Sequence, residues 1–237
     1  MDYAIIAAGE GSRLVQEGIK TPKPLIRLGE IPLIDRLIQI FLKNRAHSIS
    51  IIVNDEMTEV QDHLKKLSLP IPFNLHIQST PSSMHSFYEL SQFLQDECFC
   101  LTTVDTIFME KEFTQYIQAF QDNNTLDGMM AVTDYIDDEK PLYVKTDNNL
   151  MIQGFFDQYE DNCHFISGGI YCLKRSGISV LHDAMNESIS RMRNYQRKLV
   201  ESGLKLQAFP FSKIIDVDHA EDISKAEAFL RGTYCTF

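Results

Sequence analysis

Apolar residues follow two rhythms along this chain. Short unbroken runs read as strands buried on both faces, and apolar residues three and four apart read as one face of a helix. The first run is Tyr3-Ala4-Ile5-Ile6-Ala7-Ala8. Leu33, Leu37, Ile40 and Phe41 predict a helix over 32–44, and Ile49-Ser50-Ile51-Ile52-Val53 a buried strand within 48–54. A polar-faced helix over 58–67 is closed by Pro70 and Pro72, and a short strand follows at 75–78. Thr80-Pro81-Ser82-Ser83 reads as a turn and helix cap ahead of Phe87, Leu90 and Phe93. An apolar strand over 98–104 ends at Asp105. Strand alternating with helix through short connections predicts an α/β protein with a parallel sheet.

The second half is less regular. Phe113, Tyr116, Ile117 and Phe120 mark a helix, and 128–133 a strand. Asp134, Asp137, Asp138 and Glu139 form a charge run that reads as a solvated loop. Segments 142–145 and 150–155, joined through Asp147-Asn148-Asn149, predict a β-hairpin. Ser167-Gly168-Gly169-Ile170-Tyr171 lies in a strand over 165–173, where paired glycines predict a bulge or a close ligand approach. Helices over 178–185 and 189–201, strands over 205–211 and 214–217, and a last helix over 220–230 complete the pattern. With no repeat, low-complexity tract or linker, residues 1–237 read as a single domain.

Parallel sheets take their ligands beyond the carboxyl ends of their strands. The turn after the first strand, the turn at 80–83 and Asp105 all fall there, which predicts one shared site. The first of these is Gly9-Glu10-Gly11-Ser12-Arg13-Leu14. Two glycines one residue apart admit positive φ and a close backbone approach, and successive exposed amides make an anion-binding concavity. Arg13 adds a charged fork for phosphate oxygens, and Lys23, set between Pro22 and Pro24, a point charge on restricted backbone. Neither common phosphate loop is present. Leu14 stands where the dinucleotide fingerprint needs a third glycine, and no Gly-Lys-Ser/Thr follows.

Ala7-Ala8-Gly9-x-Gly11-Ser12-Arg13-Leu14, followed by Pro22-Lys23-Pro24-Leu25, resembles the amino-terminal motif of the sugar-1-phosphate nucleotidyltransferases, the NDP-sugar pyrophosphorylases, in their nucleotidyltransferase domain only. The resemblance implies a three-layer, mostly parallel sheet with a Rossmann-like amino-terminal half, the GT-A-like nucleotidyltransferase fold. It implies transfer of a nucleoside monophosphate from a nucleoside triphosphate to a sugar 1-phosphate, with Arg13 and Lys23 as catalytic groups. Ala7, Ala8, Gly9, Gly11, Ser12, Thr80, Ser82 and Ser83, together with Arg13 and Lys23, would bind the nucleotide. Asp105 matches the principal Mg²⁺ ligand, although Val104 stands where a glycine is common. Ile215-Asp216-Val217-Asp218-His219-Ala220-Glu221-Asp222-Ile223 resembles the family's second acidic stretch, in which the second metal ligand corresponds to Asp216 or to Asp218. Alternation along a strand would aim both to one face. Ser167, Gly168 and Gly169 match the segment lining the acceptor pocket. The Glu-Lys-Pro of many sugar-activating members is replaced by Phe155-Phe156-Asp157, leaving Lys145 as a candidate for the acceptor phosphate. Phosphocholine or another non-sugar phosphate therefore stays open as acceptor, as does a non-catalytic nucleotide-binding role. The base is not specified.

Composition changes this picture little. Hydrophobic residues are 44% and charged residues 23% of the chain, ordinary for a globular protein. A net charge of −11 excludes a general nucleic-acid binder. Around the glycine loop Arg13, Lys20, Lys23 and Arg27 only balance Asp2, Glu10, Glu17 and Glu30, so a triphosphate would need Mg²⁺. Five cysteines without zinc or redox spacing fit a reducing compartment. Without a basic leader or an apolar stretch long enough to span a bilayer, the chain reads as cytoplasmic. Cys235, third from the end, argues against prenylation.

Overall fold

The first apolar run forms β1 (Asp2–Ala7), buried along its whole length. The computed structural model describes residues 1–161 and 163–232; Cys235 lies outside them. After β1 come α1 (Ser12–Gln16), β2 (Arg27–Leu28), β3 (Ile31–Pro32), α2 (Leu33–Lys43), β4 (Ser48–Val53) and α3 (Thr58–Lys65). Next are β5 (Phe73–Ile77), α4 (Ser83–Ser91), β6 (Cys98–Thr103), β7 (Thr106–Ile107), α5 (Glu110–Asp122) and β8 (Gly128–Thr133). The hairpin β9 (Tyr143–Thr146) and β10 (Ile152–Phe156) leads to β11 (Phe165–Lys174), α6 (Arg175–Asn186) and α7 (Met192–Glu201). β12 (Leu206–Phe211), β13 (Ile215–Asp216) and α8 (Ala220–Arg231) end the described chain.

β1 lies between β4 and β6, parallel to both, and β5 adds in parallel beyond β4. A strand so placed has no solvated face, which is why it reads as an unbroken apolar run. Its residues alternate between two cores. Tyr3, Ile5 and Ala7 pack with α2, α3 and α5, whereas Ala4 and Ile6 pack with α4, α6 and α7. The result is the three-layer arrangement, with a mostly parallel central sheet. β11 runs antiparallel to β6 and carries β8 and β9 on its other edge, with β12 parallel to β8, giving nine strands.

Two sequence expectations need correction. The strand expected over 214–217 is only the two-residue β13; the Val217 N–H still reaches the Asp105 carbonyl at 3.1 Å, in register with β7, and the pairing ends there. Asp218 therefore lies beyond the strand, its N–H turned back to the Asp216 carbonyl. The helix expected from 189 begins at Met192, because Ser188 and Arg191 take positive φ. Ile189 is apolar because it packs against the second core, not because it continues a helical face. Among the described residues no helix is long and apolar enough to cross a membrane.

Candidate active site

The carboxyl ends of β1, β4, β5 and β6 open onto a cavity of about 580 Å³. Ala8, Gly9, Gly11 and Ser12 line it from the first loop, and Thr80, Ser82 and Ser83 from the start of α4. Lys23 and Asp105 close one end. Ala7 does not reach it and stays buried in β1. Only Gly11 of the two loop glycines has positive φ, +62°, and a Cβ there would stand 3.3 Å from Lys23 Cβ. Its conformation therefore both starts α1 and lets Lys23 pack beneath the loop. Sequence reading missed Asn54 at the end of β4, Ser79 after β5 and Thr103 at the end of β6, which also line this cavity. All three follow from the rule that strand ends carry the ligand.

A second cavity of about 430 Å³ adjoins it. Asp216 and Asp218 line it, as do Ser167 and Gly168. Arg13 also faces this cavity, not the first, and its guanidinium donates to Asp218 Oδ2 at 2.9 Å. Lys145 lines neither cavity. Tyr135 and Lys225 do line the second; the lysine sits mid-helix in α8, where no sequence signal marks it.

Lys23 joins the two cavities. Its side chain is only 8% exposed, and its ammonium donates to Asp105 Oδ2 and, at 2.6 Å, to Asp218 Oδ1. Backbone pairing sets this geometry: β7 and β13 form a two-stranded ladder with Asp216 opposite Thr106. Residues more than a hundred apart in sequence are thereby fixed around one point. Burial opposes the charge on Lys23, but Asp105 and Asp218 outweigh it and raise its pKa. Burial likewise favours neutral Asp105, yet Lys23 and the Thr103 hydroxyl hold its pKa below the usual carboxylate value. Asp216 is different. Desolvation by the protein crowded around it, then repulsion from Asp105 and Asp218, push its pKa up to about 8, although it opens on the cavity.

Among the described residues no group of three or more His, Cys, Asp and Glu stands ready to enclose a metal ion. One atom nonetheless fits a hard cation. Asp105 Oδ1 is buried and has no hydrogen-bond partner, an expensive state that an oxygen-seeking ion would relieve.

The glycine pair of β11 interrupts its register with β8 between Ser167 and Tyr171. Gly168 lines the second cavity, whereas Gly169, with φ +73°, sits behind it near the Thr106 hydroxyl. Ser167 donates to Gln196 Oε1 of α7 at 2.8 Å. A Cβ on Gly168 would come within 2.2 Å of Ile214 Cδ1 and 3.2 Å of the Ala131 carbonyl. Gly168→Ala is therefore expected to lower stability by about 1–3 kcal/mol, as overpacking does. It should also push Ile214, itself a lining residue, into the cavity and raise the KM of whichever substrate binds there. Thermal unfolding together with steady-state kinetics checks both.

Next to Phe156, which stands at the position of the missing lysine, Asp157 is held by Arg193 at 2.5 Å and Arg197 at 2.7 Å, and neither Asp157 nor the two arginines line either cavity. His219 pairs with Glu17 at 2.6 Å, and Asp222 accepts the His219 N–H at 2.7 Å, capping the start of α8.

Two adjoining cavities, a backbone-lined loop and a lysine–aspartate junction beyond the ends of parallel strands make a site suited to phosphate-bearing substrates, as in a group transferase. The comparisons agree. Residues 3–232 match the model of the nucleotidyl transferase family, and the chain belongs to that family. It is 25% identical over 246 residues to the bifunctional protein GlmU of Thermodesulfovibrio yellowstonii, covering 98% of this chain and 52% of that protein. The chain thus spans about half the length of that curated relative. Solved structures with the same fold include a putative glucose-1-phosphate thymidylyltransferase from Bacillus anthracis. There the TM-score is 0.84 at 19% identity, with 98% of this chain and 95% of that one covered. The inositol-1-phosphate CTP transferase from T. maritima gives 0.77 at 18% identity, covering 97% and 96%. HddC from Yersinia pseudotuberculosis gives 0.74 at 17%, covering 96% and 98%.

Proposed function

We propose that residues 1–237 act as one nucleotidyltransferase domain that moves a nucleoside monophosphate from a nucleoside triphosphate to a small phosphorylated acceptor, releasing pyrophosphate. A sugar 1-phosphate is the first acceptor class to test. The observation that carries this reading is the position of Lys23, whose ammonium stands where the two cavities meet.

A phosphate monoester, with a second pKa of about 6, is already largely dianionic near neutral pH and needs no general base to attack the α-phosphorus. The barrier lies in bringing two anions together in line, which is positioning plus electrostatics. The first cavity takes base, ribose and triphosphate, with the amides of residues 9–12 facing the departing pyrophosphate. The second takes the acceptor. Lys23 exchanges Asp218 for the α-phosphate and neutralises the charge that grows there. Arg13, placed on the acceptor side, grips the incoming phosphate. Asp105, through its unpartnered oxygen, with Asp216 or Asp218, would hold Mg²⁺, which supplies charge neutralisation on both phosphates.

A second reading, with phosphocholine or another non-sugar phosphate as acceptor, is favoured by Asp157. It lies beside Phe156, which takes the place of the family lysine, and is locked to two arginines.

Asp216 gives this reading a pH signature. Its folded pKa lies above the ordinary carboxylate value, so the folded protein binds the extra proton, and stability falls as pH rises from that value through about 8. Asp216→Asn should therefore raise Tm at about pH 9, where the native carboxylate is charged, by much more than at about pH 5, near the foot of that window. Melting curves at the two pH values check this.

The reading is tested by pyrophosphate release across triphosphates and phosphorylated acceptors with Mg²⁺. Release that requires both substrates is expected. Triphosphate binding with no turnover for any acceptor would instead mark a non-catalytic nucleotide-binding protein.

A further inference from the structure

The second cavity is far more acidic than an anionic acceptor explains. Its cations are already matched. Arg13 is tied to Asp218, and Lys225 is surrounded by Asp137 at 3.0 Å, Glu221 at 2.9 Å and Asp222 at 3.4 Å. Three carboxylates around one ammonium leave that corner negative. The loop at 134–139 adds two more. Asp138 makes no ion pair among the described residues and accepts only the Lys140 N–H, while Glu139 stands 3.8 Å from His219 Nε2. Both are exposed and both line the cavity, with the ring of Tyr135 beside them.

The charge run that reads in sequence as a solvated loop is thus a wall of the acceptor cavity. The Lys225–Asp137 bridge fastens the loop to α8. Mg²⁺ and Lys23 account for negative charge at the junction, but not for this wall, which belongs to the loop and the outer face of α8. A neutral sugar would spend the wall's carboxylates on hydroxyl contacts that uncharged side chains make as well. A positive charge on the acceptor, held away from its phosphate, uses them fully, because carboxylates gathered along one cleft sum to a negative potential that draws a cation.

We propose that Asp138 and Glu139 are specificity-determining residues, and that the acceptor is a phosphate ester bearing a cationic nitrogen, as an alkylammonium or as the amine of an amino sugar. This rests on the reading of the second cavity as the acceptor site. The phosphate points to the junction and the nitrogen to the loop.

The test uses matched pairs. Phosphocholine is compared with its uncharged isostere 3,3-dimethylbutyl phosphate, and glucosamine 1-phosphate with glucose 1-phosphate, by pyrophosphate release at saturating triphosphate. The cationic member of at least one pair should be favoured by about tenfold or more in kcat/KM, with the preference shrinking as salt is raised. Whichever pair responds tells the alkylammonium source from the amino sugar. The double variant D138N/E139Q, on exposed loop positions, should abolish the preference by lowering kcat/KM for the cationic member at least several times more than for the neutral one. Neutral members used as well as or better than the cationic ones, or a preference that survives the double variant, would overturn the proposal and leave the nucleotidyltransferase reading standing. Should no acceptor of either charge release pyrophosphate, both fall together.

Discussion

Asp105→Asn should lower kcat by on the order of a thousandfold while moving Tm by only a few degrees. The substitution keeps the shape of the side chain but removes the charge that faces Lys23 and the unpartnered oxygen that would meet the metal ion. Stability should hold, because Lys23 keeps Asp218, and Asp216 is relieved of its strongest repelling charge. Losing activity without losing fold separates this role from a structural one. Steady-state kinetics and a melting curve on the same preparation check it. A variant with native kcat would remove Asp105 from the chemistry.

The second large effect is expected at Lys23. Lys23→Met keeps the length of the side chain and leaves Asp105 and Asp218 without their shared cation. Breaking a buried pair by removing one partner costs about 3–5 kcal/mol. Asp218 is 42% exposed, so solvent screens part of that loss. About 2–3 kcal/mol remains, corresponding to a drop in Tm of about 5–10 °C in a chain of this size. The sign with pH is fixed. Lys23 lowers the pKa of Asp105, so the stabilisation is present above the ordinary carboxylate value and fades as pH falls through the lowered one. The gap between wild type and variant should accordingly close in acid. On the proposed mechanism turnover should fall by about a hundredfold or more, because among the described residues Lys23 is the one lysine lining the first cavity.

Much of this was legible in the sequence, and the parts that were not share a cause. The β1 run, the glycine loop and Asp105 are local: burial on both faces dictates the apolar run, and strand polarity dictates where the loop and the carboxylate emerge. Gly168 and Gly169 were readable as a bulge for the same reason, since a strand that loses its side chains loses its register. Local reading also set limits. It allowed positive φ at both loop glycines without choosing between them, while only Gly11 takes it. It aimed Asp216 and Asp218 by strand alternation, while the strand ends at Asp216 and a turn brings Asp218 to the same cavity. The side toward which Arg13 faces, the Lys23 bridge and the arrival of Lys225 beside the loop at 134–139 depend on ladders and ion pairs between distant segments, which periodicity does not encode. The charge run is the sharpest case. An exposed acidic loop and an acidic cavity wall have the same sequence, and only the position of α8 tells them apart.

The account rests on Lys23 marking the meeting point of two substrates. The most direct measurement is a crystal structure with a triphosphate, Mg²⁺ and a phosphorylated acceptor analogue. The α-phosphorus should lie at the junction, with Lys23 turned from Asp218 to a phosphate oxygen, Asp105 on the metal ion and the acceptor phosphate in the second cavity. A triphosphate whose α-phosphorus lies away from Lys23 and Asp105, with the second cavity closed to the acceptor, would contradict it.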